Sequence, residues 1–359
     1  MIWCYVLYAA VLGGTPLSLI KNVSLRTLIQ RYYLTILVIA LILFVILRLA
    51  GPSRDFESYI IWFNTIISGE ATPALKLKDP AFFIISCVSG WIGLDFLGVL
   101  LVFTVITVNT QLYFARLTSN AQYLTLYFYL IFCRSFILQD YTQIRAALAV
   151  VLMSLSIILA SKSRKASSLG IYVLSLVFHL SAILSLPLMI MALAGSKLRS
   201  RAWIFLLVPG VIAVKLGQAR ISAIASGFSR IAIFIHDKDF YRYREDPHVV
   251  NYFAFSFLIR VAFLLIVTFF YWEKLPRQDR FAVLGASMGL FYYVAFSSFA
   301  EGVSVRSSEL FALLELLVFM IPFNYMKRNW RILYAVASII LAFVYYHTTL
   351  LLLPSFNAN

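Results

Sequence analysis

Charged residues and cysteines are both scarce in this sequence. Only 13% of its 359 residues are charged, and they divide into 30 basic and 15 acidic side chains. Hydrophobic residues make up 62% and the mean hydropathy is +0.90, which excludes a soluble protein of any fold. Because the apolar residues form runs of helix-spanning length rather than short alternating strands, the sequence predicts an all-α, polytopic integral membrane protein.

Cysteine pairs and metal-ligand clusters are the next absences. The three cysteines, Cys4, Cys87 and Cys133, are odd in number and lie in or beside apolar runs, so they indicate no disulfide framework. No His/Cys cluster shows metal-ligand spacing, and we expect neither a metal nor another cofactor. No basic residue precedes the first apolar run and no small-residue cleavage site follows it, so we expect a retained span rather than a signal peptide.

The apolar runs predict ten full crossings, at 1–20, 32–49, 94–115, 121–138, 141–160, 202–216, 251–272, 280–300, 308–325 and 332–353. Residues 80–93 are too few to cross and predict an interfacial or half-inserted helix. Residues 169–195 are long for one crossing and short for two, and His179 and Pro187 interrupt them. We interpret this stretch as a re-entrant or double-crossing hairpin.

The distribution of basic residues orients the spans. With the N-terminus outside and both ends of the 169–195 hairpin inside, the cytoplasmic connectors hold 16 of the 30 basic residues. They hold only Glu273 and Asp279 of the 15 acidic ones. A single crossing at 169–195 would turn the later basic loops outward, so the hairpin is favoured and both termini are predicted on the outer side. The excess charge is spread thinly over connectors without a basic stripe, which argues against nucleic acid as a partner.

Charged residues collect at the predicted outer face of what we expect to be one transmembrane domain, 1–359. Three outer loops, 51–79, 217–249 and 301–307, are expected to form the site, because charges at a membrane edge usually face a cavity, a partner or a polar ligand. Arginines around such a vestibule suit an anionic ligand, since Arg makes paired hydrogen bonds to phosphate oxygens. The candidate ligand-binding residues are Arg48, Arg54, Tyr59, Arg134, Gln143, Arg145, Arg242, Arg244 and Arg306.

Four motifs, taken in chain order, resemble those of one known family. They are Arg48-x-x-Gly51-x-x-x-Asp55-x-x-x-Tyr59, Gln143-x-Arg145-x-x-x-Ala149, Phe178-His179-x-Ser181-Ala182, and Arg306 upstream of a span ending in Pro322. The ordered set is similar to the EpsG family of bacterial polysaccharide polymerases, which are Wzy-like proteins. One departure is that two alanines follow Arg145, where the family commonly has an arginine-glutamine pair.

The resemblance implies a membrane glycosyltransferase of GT-C-like plan in the bacterial cytoplasmic (inner) membrane. Such an enzyme joins undecaprenyl-diphosphate-linked oligosaccharide repeat units at the periplasmic face, for O-antigen or exopolysaccharide. Its implied partners are the lipid-linked donor and acceptor, membrane lipid and a chain-length-regulating membrane protein. Arginines can stabilise the charge that grows on the diphosphate leaving group, so we expect a metal-independent reaction.

The general base has three candidates. Asp55 is the first choice, although a salt bridge to Arg48 or Arg54 would lower its pKa and make it a poor base. His179 and His236 are the alternatives, because an imidazole can also take a proton from a sugar hydroxyl.

The arginines have competing structural interpretations. Arg145 is expected at the diphosphate, where the start of a helix also favours a phosphate, unless it pairs with Asp140. Arg306 is expected there too, unless it pairs with Glu301 or Glu309. A further basic and acidic residue lie inside spans and are expected to pair structurally, namely Arg260 and Glu315.

Two other functions stay open beside repeat-unit polymerisation. An O-antigen ligase would share the arginines but would carry a larger outer loop than residues 217–249. A non-enzymatic flippase or carrier more often shows internal repeats and charges along a through-going path. The sequence shows no such repeat, and its charges cluster at one predicted face.

The predicted topology is testable by cysteine labelling in intact cells. Single cysteines at Lys162, Lys197 or Arg328 should be shielded from a membrane-impermeant thiol reagent, because these positions are predicted to be cytoplasmic. Cysteines at Ser53 or Lys238 should be labelled. Labelling at Lys197 alone would contradict the hairpin, and the orientation predicted for every later span would then be reversed.

Overall fold

The computed structural model describes residues 2–49, 51, 53, 55–72, 79–195, 254–297 and 301–351. Every regular element within these ranges is helical, which confirms the all-α prediction. The helices are α1 (Ile2–Leu12), α2 (Val23–Ile46), α3 (Phe56–Ile67), α4 (Pro80–Trp91), α5 (Phe96–Thr118), α6 (Leu124–Ile131), a π-helix (Phe132–Thr142), α7 (Ile144–Ser161), α8 (Lys165–Phe178), α9 (Leu186–Leu193), α10 (Phe255–Phe270), α11 (Arg277–Phe296), α12 (Glu301–Glu309), α13 (Ala312–Tyr325) and α14 (Arg328–Leu350). Short 3₁₀ turns lie at Thr15–Leu19, Ala121–Tyr123, Leu180–Ser185 and Trp272–Lys274.

The chain divides into two compact units. The first comprises Met1–Ala71, Pro80–Leu152 and Phe323–Asn359, and the second comprises Thr72–Asp79 and Met153–Pro322. In the first unit α2 packs on α5, α3 packs on α4, and the π-helix packs on α14. In the second unit α11 packs against α10 and α12. The single transmembrane domain expected for 1–359 stays a prediction.

Six helical stretches are long and apolar enough to cross a membrane, namely Ile2–Leu19, Val23–Ile46, Phe96–Thr118, Ala121–Thr142, Ile144–Ser161 and Arg328–Leu350. Each overlaps a predicted crossing, with α2 beginning at Val23 rather than at residue 32. The crossings predicted at 251–272, 280–300 and 308–325 overlap α10, α11 and α13, and the one at 202–216 lies outside the described residues. The total of ten crossings and the GT-C-like plan therefore stay predictions.

Two segments predicted as outer loops contain helices. α3 lies within the predicted loop 51–79, and α12 covers the predicted loop 301–307. Each helix buries one face, but neither contains an apolar run long enough to predict a span. The buried face of α3 carries Tyr59, Phe63 and Ile66, and that of α12 carries Ser304, Ser307 and Ser308.

The stretch 169–195 folds back on itself, as its interrupted pattern predicts. α8 ends at Phe178, the next residue, His179, has an extended backbone, and a 3₁₀ turn leads into α9. Tyr172 donates a hydrogen bond to the carbonyl of Ala182 at 3.2 Å, and Ser168 Oγ lies 3.7 Å from Met189 Sδ, so the return segment runs antiparallel to α8. The 14 residues of α8 rise about 21 Å, less than the roughly 30 Å of a bilayer core, which favours the re-entrant form of the hairpin.

Two glycines allow close helix packing in the second unit. A Cβ atom at Gly285 would crowd Leu314 on α13. A Cβ atom at Gly289 would lie 3.1 Å from the Cβ atom of Phe311, in the turn before α13. The backbone carbonyl of Ser308 lies 3.3 Å from the same position at Gly289. Spacing of this kind is typical of helices that approach closely in membranes. α12 therefore rests directly on the backbone of α11.

A buried acid at the start of α11 makes stability depend on pH. Asp279 is 4% exposed, and burial raises its pKa to about 6, with Gln278 and Lys162 opposing the shift. Because the folded pKa lies above the ordinary value near 3.8, the stabilisation from this group is complete at low pH and is lost as pH rises through about 6.

We expect Asp279→Asn to be more stable than the wild type at pH 7.5, by up to about 2–3 kcal/mol, and this advantage should shrink as pH falls below about 6 and disappear below about pH 4. Thermal midpoints measured in detergent across that range would show the difference. Glu273→Gln, at an exposed position six residues earlier, is the matched control and should follow the wild type. A constant difference between Asp279→Asn and the wild type at every pH would contradict the assignment.

Candidate functional site

Arg48 and Tyr141 hold each other through reciprocal contacts in the first unit. One guanidinium nitrogen of Arg48 donates to the backbone carbonyl of Tyr141 at 3.0 Å, and another donates to Ser53 Oγ at 2.8 Å. The Arg48 Cζ atom lies 3.9 Å from the ring centroid of Tyr141 and 4.3 Å from that of Phe56. In return, the Tyr141 hydroxyl donates to the carbonyl of Gly51. The segment between α2 and α3 is thereby fixed to the end of the π-helix.

The backbone of this segment is left-handed at two positions. Arg48 has a φ of 49°, and Gly51 has a φ of 84°. A side-chain-bearing residue in this region costs roughly 1–2 kcal/mol, whereas glycine adopts it freely. The contacts of the Arg48 guanidinium offset that strain. Such strain is typical of functional segments, where the surrounding structure maintains it.

Arg145 lies in the first turn of α7 and faces three aromatic rings. Its Cζ atom is 4.3 Å from the ring centroid of Trp62, 5.0 Å from that of Tyr59 and 5.6 Å from that of Phe82. The first two rings belong to α3 and the third to α4. Attraction between a guanidinium and an aromatic face is stronger in a desolvated setting, and Arg145 is only 9% exposed.

The structure brings four predicted site residues together around α3, namely Arg48, Asp55, Tyr59 and Arg145. Tyr141 and Arg145 are four residues apart at the junction of the π-helix and α7, and both contact the segment that runs from Arg48 into α3. Tyr59 is 4% exposed and packs in the aromatic cluster that faces Arg145. Asp55 precedes α3 and lies one helical turn before Tyr59.

Two of the competing ion pairs predicted from sequence are absent from the described part of the chain. Asp140 is 2% exposed and accepts hydrogen bonds from Gln111 on both carboxylate oxygens, each at 3.0 Å, rather than pairing with Arg145. Asp55 is half-buried, makes no capping hydrogen bond and does not pair with Arg48. Its pairing with Arg54 lies outside the described residues.

A histidine–carboxylate pair lies in the second unit. His179 Nδ1 is 3.0 Å from Asp79 Oδ1, with the carboxylate side chain 4% exposed and the imidazole 28% exposed. Hydrogen bonding to the carboxylate assigns the proton to Nδ1 and leaves Nε2 as the basic nitrogen. The sequence patterns did not select Asp79. Its available signal is the Asp79-Pro80 step, which is typical of a helix start and by itself indicates only where the interfacial helix begins.

Comparison with known proteins assigns the family. The model of the EpsG family matches residues 31–358. The chain belongs to the EpsG family. No curated protein and no solved structure matches it. The match includes all four motifs, the aromatic rings around Arg145 and the His179–Asp79 pair. EpsG membership together with the apolar helices indicates an integral membrane protein of polysaccharide biosynthesis.

The remaining predicted site residues of this EpsG-family protein are placed differently. Arg134 lies in the π-helix and donates to the hydroxyl of Tyr345 on α14, whose ring centroid lies 4.7 Å from the Arg134 Cζ atom. Gln143 joins the π-helix to α7, with a half-exposed side chain and a backbone N–H that donates to the Gln139 carbonyl at 2.7 Å. Arg306 is exposed on α12.

Several candidates lie outside the described residues, namely Arg54, His236, Arg242, Arg244 and the whole predicted loop 217–249. The described residues hold no group of three His, Cys, Asp or Glu side chains that could bind a metal. Asp237 and Asp239, beyond those residues, form an Asp-x-Asp pair that counts against the metal-independent reaction expected from the sequence. That expectation stays a prediction.

The predicted structural pair inside the spans is confirmed. Arg260 on α10 donates through Nε to Glu315 on α13, and another guanidinium nitrogen contacts the same carboxylate oxygen. Neither residue is exposed beyond 13% in its side chain.

Conservative substitution should separate the two arginines of the first unit. Arg48→Lys keeps the charge but cannot contact the Tyr141 carbonyl and Ser53 together, so we expect a loss of roughly 1–3 kcal/mol in the free energy of unfolding. Arg145→Lys retains a cation against the three rings, so its thermal midpoint should stay near that of the wild type, while long-chain glycan is lost.

Thermal midpoints in detergent and glycan length in cells measure the two effects. The matched control is Arg116→Lys, at an exposed position on α5. Wild-type glycan lengths from Arg145→Lys would show that this arginine supports the structure only.

Proposed function

We propose that the protein polymerises undecaprenyl-diphosphate-linked oligosaccharide repeat units by glycosyl transfer at the outer face of the bacterial cytoplasmic membrane. Membership of the EpsG family and the six candidate spans support a membrane enzyme of polysaccharide biosynthesis. The hydrogen bond between His179 and Asp79 carries the chemical part of the proposal, because it supplies an oriented base.

The reaction forms one bond and breaks one. A sugar hydroxyl of the acceptor repeat unit attacks the anomeric carbon of the donor glycan, and the bond from that carbon to the diphosphate oxygen breaks. The acceptor hydroxyl loses its proton to a base, and undecaprenyl diphosphate leaves with the bonding electron pair. The protein must therefore stabilise negative charge on the diphosphate and remove one proton.

Arg145 is the proposed ligand of the leaving diphosphate. Aromatic rings contact the face of a guanidinium, whereas phosphate oxygens are bound at its edge, so the cluster of Tyr59, Trp62 and Phe82 is compatible with phosphate binding. Arg145 lies in the first turn of α7, where the helix dipole also favours an anion. Arg306, exposed on α12, is the second proposed ligand.

His179 is the proposed general base. The buried carboxylate of Asp79 holds its Nδ1–H, stabilises the imidazolium that forms on proton uptake and aims Nε2. Asp55 remains the second candidate, because its half-buried carboxylate precedes α3 and pairs with no described residue. The two candidates predict different variants to be inactive.

The test uses the purified full-length protein in lipid nanodiscs with lipid-linked repeat units. With a lipid A core supplied as a second acceptor, a ladder of lengthening products indicates a polymerase and a single transfer to the core indicates a ligase. The absence of new glycosidic bonds would contradict both enzymatic functions. Donor binding is measured separately, so that loss of affinity is distinguished from loss of turnover.

We expect His179→Asn to lower turnover by roughly 10²-fold or more without weakening donor binding, because its amide can still donate to Asp79. Asp79→Asn should lower turnover by at least roughly 10-fold by disturbing the tautomer. His347→Asn is the matched control, since His347 Nδ1 likewise lies within hydrogen-bond distance of a side chain, the Tyr5 hydroxyl at 2.8 Å. Full turnover by His179→Asn with an inactive Asp55→Asn would transfer the role of base to Asp55.

A further inference from the structure

Arg260 lies on α10 and contacts side chains of three other helices in the second unit. It extends from α10 to the carboxylate of Glu315 on α13, and one of its terminal nitrogens also donates to Ser308 Oγ on α12. Its Cζ atom lies 5.9 Å from the ring centroid of Tyr293 on α11. The guanidinium therefore contacts side chains from α11, α12 and α13.

α12 depends on these contacts for its position. It has nine residues, and a helix of that length is marginal on its own. Ser304 Oγ donates to the backbone carbonyl of Tyr293, and the carbonyl of Ser308 lies against Gly289. Ser308 is thus held from two sides, by the backbone of α11 and by Arg260. Arg306 lies two residues before it on the same short helix.

Packing alone does not account for an ion pair in this place. α10 and α13 are apolar helices, and charged groups in such surroundings carry a large desolvation penalty that their mutual attraction offsets only with good geometry. Apolar side chains of similar volume would fill the same space without that penalty. The fixed direction of the guanidinium hydrogen bonds explains the pair better, because only a group with several fixed donors can bind Glu315 and Ser308 together.

We propose that Arg260, oriented by Glu315, is a positioning residue that fixes α12 and thereby places Arg306 at the diphosphate of the lipid-linked donor. The proposal rests on the role given to Arg306 under the proposed function. Arg260 itself does not touch the donor. It acts through Ser308 and the orientation of α12.

The test replaces the whole pair, because removing one partner would leave a buried unpaired charge. Arg260→Met with Glu315→Leu keeps the volume apolar and should preserve the thermal midpoint within a few degrees. Peptide 301–309 should exchange its amide hydrogens at least roughly 10-fold faster than in the wild type. Thr268→Val is the matched control, because its buried hydroxyl on α10 donates only within that helix, to the Leu264 carbonyl at 2.7 Å.

The activity measurement is a comparison in two backgrounds. In the otherwise wild-type protein the double replacement should lower kcat/KM for the lipid-linked donor at least roughly 10-fold, mainly through KM. In an Arg306→Ala background the same replacement should cost less than roughly 2-fold, since there is no arginine left to place.

Equal losses in both backgrounds, or no loss in either, would overturn the positioning role. Unchanged hydrogen exchange in 301–309 would do the same, whatever the activity. Failure of the proposed function is distinguishable, because it appears as a wild-type protein that makes no glycosidic bond, while the exchange measurement still decides whether Arg260 anchors α12.

Discussion

The reciprocal contact between Arg48 and Tyr141 is the interaction on which the rest of the first unit's site depends. It fixes the left-handed segment after α2 to the end of the π-helix, and α3 follows directly from that segment. Arg145, one turn beyond Tyr141, meets the rings that α3 carries. The packing of α3 on α4 holds the other end of this arrangement, so the Arg48 contact and the α3–α4 contact together keep the rings at Arg145. The first and second sequence motifs are therefore one physical assembly.

Scarcity of charge makes each buried charged group informative. In apolar surroundings an unpartnered charge is costly, so the described buried charges meet specific groups. Asp140 meets the amide of Gln111, Asp79 meets His179, and Glu315 meets Arg260. The partner differs in kind among the three, from an amide to a titratable imidazole to a permanent cation. Among these three partner groups, only the imidazole can accept a proton in the physiological range, which favours the His179 pair for acid–base chemistry.

The sequence predicted the features that depend on long apolar runs or on residue order. These include the all-α class, the reversal at His179 and the pairing of Arg260 with Glu315. It did not predict α3, because the 12 residues of this helix are too few to predict a span and charged residues precede them. It also missed the contact of Asp79 with His179, 100 positions apart, since no local pattern encodes it. The contacts of Arg48 were out of reach for a related reason, because motif order shows that an arginine is present but not which neighbours accept its hydrogen bonds.

The arginines differ in role according to the chemical nature of their neighbours. Arg260 faces a carboxylate, so its charge is neutralised locally. Its contribution is the fixed direction of its hydrogen bonds. Arg48 contacts a carbonyl, a hydroxyl and two rings, all of them neutral, so within the described chain its charge is not cancelled. A positive charge in a partly buried, weakly screened position attracts anions over several ångströms without touching them. Arg48 can therefore both hold α3 in place and add positive potential beside Arg145, which combines the structural and the electrostatic interpretation of the first motif in one residue.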